Sequence, residues 1–351
     1  MPPPRRRTNS WKTIAATVAA AVPRGRLETS VLRWTETPAA RGNWTVGVSG
    51  GGDSVLLLLL LWAHWPERRS RLRALHFDHR LRGPSSRADR GFCRRLCAAL
   101  GVPLTVEAWE RPNGSRVRSP SEAEARSARL AFFARHSRVL WLGHHQDDVA
   151  ESLLMRLARG SGAGGLSAPR PVQPMPAGRV HLRPLLGLRK KEVLAVLEAA
   201  GAGWREDESN AGGAYFRNRI RRDVLPRWEK AARRDAVAGA ARSRELLAED
   251  DAALERWVDE LAVFGRNGDL LLRRLAGRPR AVVRRALHRW LGRVLPGADL
   301  SRQAFDALLA AVERGDPTRQ SLGRESFGVI RAGRLMLMTG KPSANFQRRV
   351  N

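Results

Sequence analysis

The 351-residue sequence predicts an α/β protein: a parallel sheet with helices on both faces, then a mostly α-helical C-terminal region with a small terminal β-hairpin. Three observations predict it. Between residues 43 and 158, short β-type runs alternate with helical patterns, as they do when helices form the crossovers of a parallel sheet. Three of those runs lead straight into polar clusters, and such sheets bind ligands at the carboxyl ends of their strands. After Trp228 the composition shifts to Ala, Arg, Leu and Glu, with helical spacing to about residue 313.

Taken in order, residues 1–42 are a Pro/Arg-rich start with a short helix near 11–22. Residues 44–48 form the first strand, followed by a Gly-rich turn and an apolar helix at 55–62. A second strand at 72–77 ends on Asp78-His79, a helix covers 88–100, and a third strand covers 103–108. An amphipathic helix at 120–134 precedes the fourth strand, 138–142, which runs into Gly143-His144-His145-Gln146-Asp147-Asp148 and a helix to about 158. Residues 159–178, rich in Gly and Pro, read as a loop, 188–200 as a helix and 217–221 as a dense basic cluster. Residues 323–338 read as a hairpin turning at Gly333. The expected division is a basic N-terminal extension (1–42), an α/β domain bearing the three polar clusters (43–228) and an Arg-rich helical region with the hairpin (229–351).

Hydrophobic content of 43% and charged content of 28% describe a globular chain, but the net charge of +29 is unusual. Such an excess destabilises a compact state unless a polyanion offsets it, which points to nucleic acid. Lysine is confined to Lys12, Lys190, Lys191, Lys230 and Lys341, so arginine supplies most of the charge. The two cysteines, Cys93 and Cys97, sit four residues apart in a helical pattern, which suits a buried stripe in a reducing compartment. No apolar run reaches the ~20 residues needed to span a bilayer. The Arg5–Arg7 cluster and the alanine-rich stretch after it lead into Pro23 without a cleavage signal, so a cytoplasmic location is expected. Nothing in the sequence calls for an obligate protein partner.

The glycine run Ser49-Gly50-Gly51-Gly52-Asp53-Ser54 lies between a strand and a helix. Glycines let backbone N–H groups approach an anion, and the helix N-terminus adds positive potential. Ser49 and Ser54 bring hydroxyl donors. Asp53 repels phosphate unless a cation lies between, so its expected role is a Mg²⁺ ligand against the pyrophosphate of ATP. The Gly-Lys-Ser/Thr ending of the γ-phosphate-clamping loop is absent.

Ser-Gly-Gly-X-Asp-Ser resembles the loop of the PP-loop ATP pyrophosphatases. Further motifs make the chain similar to the tRNA(Ile)-lysidine synthetase family: Phe77-Asp78-His79, Glu124-Ala125-Arg126, Gly143 to Asp148 with Glu151, Arg159-Gly160, Arg183-Pro184-Leu185-Leu186, Asp207-X-Ser209-Asn210 and Arg217-Asn218-X-X-Arg221. They occur in order across about residues 43–228. Departures are Leu130, where the family often has tyrosine, and the long basic start before Trp44. The resemblance implies a Rossmann-like fold of the adenine nucleotide alpha hydrolase type. It also implies a two-step reaction on the wobble cytidine of an isoleucine tRNA with a CAU anticodon. ATP adenylates the cytidine C2 oxygen and releases pyrophosphate; the amine of free L-lysine then displaces AMP to give lysidine. Asp78, His79 and His144 are expected to join residues 49–54 in binding ATP.

Asp148 and Glu151 fall at i, i+3 on a helix, so both carboxylates share one face. A lysine ammonium, with a reference pKa of about 10.4, must lose a proton to attack, and this pair suits holding the amine and accepting its proton. Helix-dipole acids are the bland alternative. Arg217 and Arg221 suit stabilising charge on departing pyrophosphate or contacting RNA, against a solvated basic face. Two rival readings stay open. A PP-loop tRNA thiolase needs reactive cysteines or a cluster, and a non-catalytic basic RNA-binding protein needs no intact acids at these positions.

Overall fold

Ser10 opens the first helix, its Oγ accepting the Thr13 N–H at 3.2 Å. Helix α1 (Trp11–Ala21) buries Ile14, Ala15 and Val18, and a short helix, α2 (Thr29–Thr35), follows it. The central strand β1 (Trp44–Gly47) then feeds α3 (Gly52–His64). From Val55 to Leu61 every side chain of α3 is buried. A helix apolar all round has to be enclosed, and α3 is, by α1, β1 and α8 (Lys190–Ala199). The structure is a computed structural model that describes residues 10–79, 84–109, 122–206, 215–297, 300–323 and 325–340.

The alternation continues through β2 (Leu72–Asp78), α4 (Pro84–Leu100), β3 (Leu104–Ala108), α5 (Glu122–His136), β4 (Val139–Trp141) and α6 (Gln146–Leu157). After the short α7 (Ala163–Leu166) come β5 (Val172–Met175) and β6 (Arg179–Leu182). The sheet has six strands in the order β3-β2-β1-β4-β6-β5, parallel except for the antiparallel edge strand β5. Side chains alternate between its two faces with period two. Leu72, Ala74, Val139 and Trp141 join the large cluster with α1, α3 and α8. Leu75, Phe77 and Leu140 face the other way, onto Phe132 and Phe133 of α5. Strand order reverses about β1, whose neighbours are β2 on one side and β4 on the other, so the crevice for a ligand opens at their carboxyl ends.

Beyond α8, the segment α9 (Phe216–Arg219), a π-type turn at Ile220–Val224 and α10 (Leu225–Ala232) form a bent helical run. Helix α11 (Ala236–Glu260) follows. The chain divides into two compact units, Met1–Ala248 and Glu249–Asn351, so the division falls inside α11 rather than at the change of composition after Trp228. The reason is packing. Leu225, Trp228, Val237 and Ala240 join Ala150 and Leu153 of α6 in one apolar cluster, and Ala241 packs with Val149 and Leu186.

In the second unit, the expected long helical stretch is interrupted by β7 (Leu270–Leu271) before α12 (Arg280–Val294) and α13 (Arg302–Arg314). The terminal hairpin is present as β9 (Ser326–Arg331) and β10 (Arg334–Thr339), with β8 (Thr318–Gly323) before it. The turn residues Ala332 and Gly333 have φ of 49° and 66°, the left-handed pair that matches the twist of a two-residue hairpin. The hairpin extends into a four-stranded antiparallel sheet, β7-β10-β9-β8. Arg285 and Arg289 of α12 pair with Asp251, Glu255 and Asp259 of α11, which lie on successive turns.

Candidate functional site

The glycine run forms a tight loop between β1 and α3. Gly50 has φ of +94°, a conformation that L side chains rarely adopt. The loop is stitched by its two serines: Ser54 Oγ accepts the Ser49 N–H at 3.1 Å and donates to Gly51 O at 2.9 Å, and Ser49 Oγ accepts the Gly51 N–H at 3.2 Å. From outside, the Arg205 N–H donates to Gly50 O at 2.9 Å, while Arg205 Nε donates to Asp89 Oδ1 at 2.9 Å. A side chain at Gly52 would meet Leu194 Cδ2 at 3.0 Å, so the start of α3 rests on α8.

Gly143, just past β4, shows why that position needs glycine. A Cβ there would lie 2.7 Å from the backbone oxygen of Asp53 and 3.2 Å from the Ser54 nitrogen. The end of β4 therefore abuts the first turn of α3, and neither contact is a movable side chain. Gly143→Ala is expected to cost roughly 1–3 kcal/mol of stability through overpacking, read by denaturant melts. It should also weaken nucleotide binding, because the clash falls on the loop itself. A variant as stable as the parent would contradict that packing.

Asp53 is held by Lys190, the first residue of α8, whose Nζ donates to Asp53 Oδ1 at 2.7 Å and Oδ2 at 2.8 Å. The Lys190 N–H donates to Asp147 Oδ2 at 2.7 Å. The neighbouring Arg189 donates to Glu229 Oε1 at 2.9 Å and Asp235 Oδ1 at 2.5 Å. His145 is buried among carboxylates: its Nε2 lies 3.4 Å from Asp148 Oδ2 and 3.7 Å from Asp53 Oδ2, and its Nδ1 lies 3.4 Å from Asp147 Oδ2. Burial opposes a charge on this ring, but the three acids outweigh it and raise its pKa. Asp147, against the pull of its own burial, is lowered to about 2 by His145, the Lys190 N–H and Arg189.

Asp148 and Glu151 share one face of α6, as their spacing requires, and both are buried. The structure brings them together with the other expected pair. Arg217 donates through Nη2 to Asp148 Oδ1 and through Nε to Glu151 Oε2, each at 2.6 Å. Arg221 donates through Nε to Glu151 Oε1 at 2.5 Å and through Nη2 to Oε2 at 3.2 Å. The π-type turn lies between α9 and α10, where π geometry often marks function. Asp148 Oδ2 also accepts the His145 N–H at 2.9 Å. Despite burial, its pKa is pushed below the usual carboxylate range by His145, Arg217 and His144.

His144 is half-buried, and burial pushes it down to about 3; Asp148 opposes this, while Arg183, Arg217 and Arg129 add to it. It is therefore a neutral imidazole at physiological pH. Its Nδ1 has no hydrogen-bond partner among the described residues. Arg183 is buried after β6, donating from Nη1 to Arg170 O at 2.8 Å. Asp78 and His79 end β2 on the far side of β1 from β4. Asp78 Oδ2 lies 3.9 Å from Arg90 Nη1, and the His79 ring sits edge-on to Phe77 at 4.8 Å between centroids. The Asp207-X-Ser209-Asn210 motif lies outside the described residues. Lys190, Arg205 and Asp89 are site residues that sequence patterns do not single out. The one available signal was Lys190 as one of five lysines in a chain that mostly uses arginine.

Among known proteins, the PP-loop domain family matches residues 25–228. A protein of Geobacter sulfurreducens named tRNA(Ile)-lysidine synthase is 38% identical over 283 residues, covering 74% of this chain and 56% of that one. The protein of that name from Hyphomonas neptunium is 36% identical over 293 residues, covering 79% and 76%. That from Pseudomonas aeruginosa is 34% identical over 339 residues, covering 89% and 72%. The chain thus spans little more than half the length of the Geobacter relative. With this PP-loop domain and relatives that it matches over most of their own length, the chain belongs to the tRNA(Ile)-lysidine synthase family.

Proposed function

We propose that the chain ligates free L-lysine to C2 of the wobble cytidine of a CAU-anticodon isoleucine tRNA, consuming ATP with Mg²⁺. The observation that supports this best is the position of His145. One ring nitrogen lies within 3.7 Å of Asp53, in the phosphate loop, and within 3.4 Å of Asp148, in the carboxylate–arginine network. Asp53, read as the acid that holds a cation against phosphate, would then adjoin Asp148 and Glu151, read as the acids that hold the amine, as a two-step reaction at one cytidine requires.

Residues 49–54 would bind the ATP polyphosphate, with Asp78, His79 and His144 around it. Asp53 suits a cation, since its two oxygens already grip an ammonium at 2.7 and 2.8 Å. Mg²⁺ there would neutralise phosphate charge and favour departure of pyrophosphate. In the first step the cytidine C2 oxygen attacks the α-phosphorus. In the second, the lysine amine attacks C2 and AMP leaves. Asp148 and Glu151 would hold the incoming ammonium in exchange for guanidinium contacts, and one of them would accept its proton. Arg217 and Arg221, so released, would stabilise charge on the leaving groups. The net charge of +29 suits binding tRNA phosphates, with an affinity that falls steeply as salt rises.

A sulfur-transfer reading is opposed by the thiols. Cys93 and Cys97 are buried in α4, and burial pushes both up to about 12. No group of three or more acids, histidines and cysteines placed to hold a metal among themselves occurs in the described residues, and no described helix is long and apolar enough to cross a membrane. Replacing both cysteines by alanine is expected to cost about 1–2 kcal/mol of stability and leave turnover near normal. A folded, inactive double variant would favour the thiolase. The proposed reaction itself is tested with ATP labelled at the α-phosphate. Transfer of label to tRNA, with pyrophosphate released, should need the CAU isoleucine transcript; equal consumption without tRNA would count against it.

A further inference from the structure

Asp53 in this structure is not a bare acid. Its partner Lys190 arrives from 137 residues away and is presented with care. The backbone under it is fixed: Asp147 takes its N–H at 2.7 Å, and Glu192 Oε2 takes the Arg189 N–H at 2.8 Å. Leu194 and Leu197, further along α8, pack where a Gly52 Cβ would come within 3.0 and 3.3 Å of them, which locks α8 to the start of α3. The ammonium, in contrast, sits on a flexible four-carbon stem and its side chain is 38% exposed, so it can change partners without moving α8.

The loop sequence sharpens the point. A loop that clamps phosphates through Gly-Lys-Ser/Thr carries its own lysine, whereas this loop has Gly52-Asp53-Ser54 and no cation. We propose that Lys190 supplies that missing cation: it neutralises Asp53 in the nucleotide-free protein and passes to the β- and γ-phosphates when ATP and Mg²⁺ bind. Mg²⁺ held by Asp53 would take the oxygens that the ammonium gives up, and the displaced Nζ would find strong acceptors in the polyphosphate oxygens held by the same loop. Lys190 is then a substrate-binding residue for the pyrophosphate half of ATP. This rests on the reading of residues 49–54 as the nucleotide loop, but not on lysine or tRNA being the other substrates.

The test is calorimetric titration of the full chain with ATP, inorganic pyrophosphate and AMP, each with Mg²⁺. Lys190→Met is expected to weaken ATP and pyrophosphate binding about tenfold or more, as loss of a charge-assisted contact would, and to leave AMP within about twofold. Lys191→Met, on the exposed neighbour, should bind all three as the parent does. If Lys190→Met folds poorly, Lys190→Gln keeps a donor for Asp53 and should give the same pattern. Unchanged ATP affinity would mean that Lys190 stays with Asp53 as a structural pair. Equal loss of ATP and AMP would mean that it merely shapes the loop. Either result overturns the assignment. Parent protein that binds ATP through Lys190 yet never joins lysine to tRNA would leave it standing and remove the lysidine reading instead.

Discussion

Asp53→Ala is expected to lose ATP-dependent AMP release by about 10³-fold or more, equivalent to roughly 4 kcal/mol of barrier. The acid lies inside the glycine loop proposed to bind the ATP phosphates, and it already grips a cationic group through both oxygens, at 2.7 and 2.8 Å. Removing it takes away the group that would hold Mg²⁺ against the pyrophosphate, and a metal in that role contributes several kcal/mol. Its partner Lys190 is 38% exposed, so the fold should tolerate the loss: an exposed ion pair contributes little to stability. Affinity for tRNA should stay within about twofold, because that affinity comes mainly from basic residues on phosphates. The two readings, AMP from labelled ATP and tRNA retention on filters, must separate. Undiminished AMP release would remove Asp53 from the reaction.

Glu151→Gln should affect both stability and the second chemical step. Glu151 is fully buried and takes hydrogen bonds from Arg217 and from two nitrogens of Arg221. Glutamine cannot neutralise two guanidinium groups there, and breaking a buried ion pair from one side costs about 3–5 kcal/mol. The melting temperature should fall on the order of 10 °C. Below the new midpoint, pyrophosphate release should remain within about tenfold of the parent. Lysine incorporation should drop about 10²–10³-fold, the range of a lost general base. Equal loss of both half-reactions would make the carboxylate a structural or ATP-binding group and not the acceptor of the lysine proton.

The parts of this site that were legible in the sequence are local ones. Strands β1, β2 and β4 are runs buried almost throughout, so their apolar continuity showed them. Strand β5 falls within the stretch 159–178 that reads as loop, and β6 has no reading at all, because both are short and half-buried and Pro174 interrupts β5, leaving no period to find. The hairpin announced itself through Gly333, whereas the two-residue β7 and the polar β8 acquire meaning only once paired to it. The same holds for the chemistry. Glycines at 50–52 and carboxylates at 148 and 151 state their geometry within a few residues. That Arg217 and Arg221 sit on Asp148 and Glu151 is a contact across 66 to 70 residues, and Lys190 on Asp53 is one across 137. Such pairs follow from topology, not from spacing.

The most direct measurement of the central claim is incorporation of labelled L-lysine into CAU-anticodon isoleucine tRNA by the full chain, with and without ATP. Lysine joined to the tRNA in an acid-stable product is expected only when ATP and Mg²⁺ are present, with one AMP and one pyrophosphate appearing per lysine. ATP-dependent adenylation of tRNA with no lysine joined under any condition would contradict it, as would lysine incorporation that proceeds without ATP.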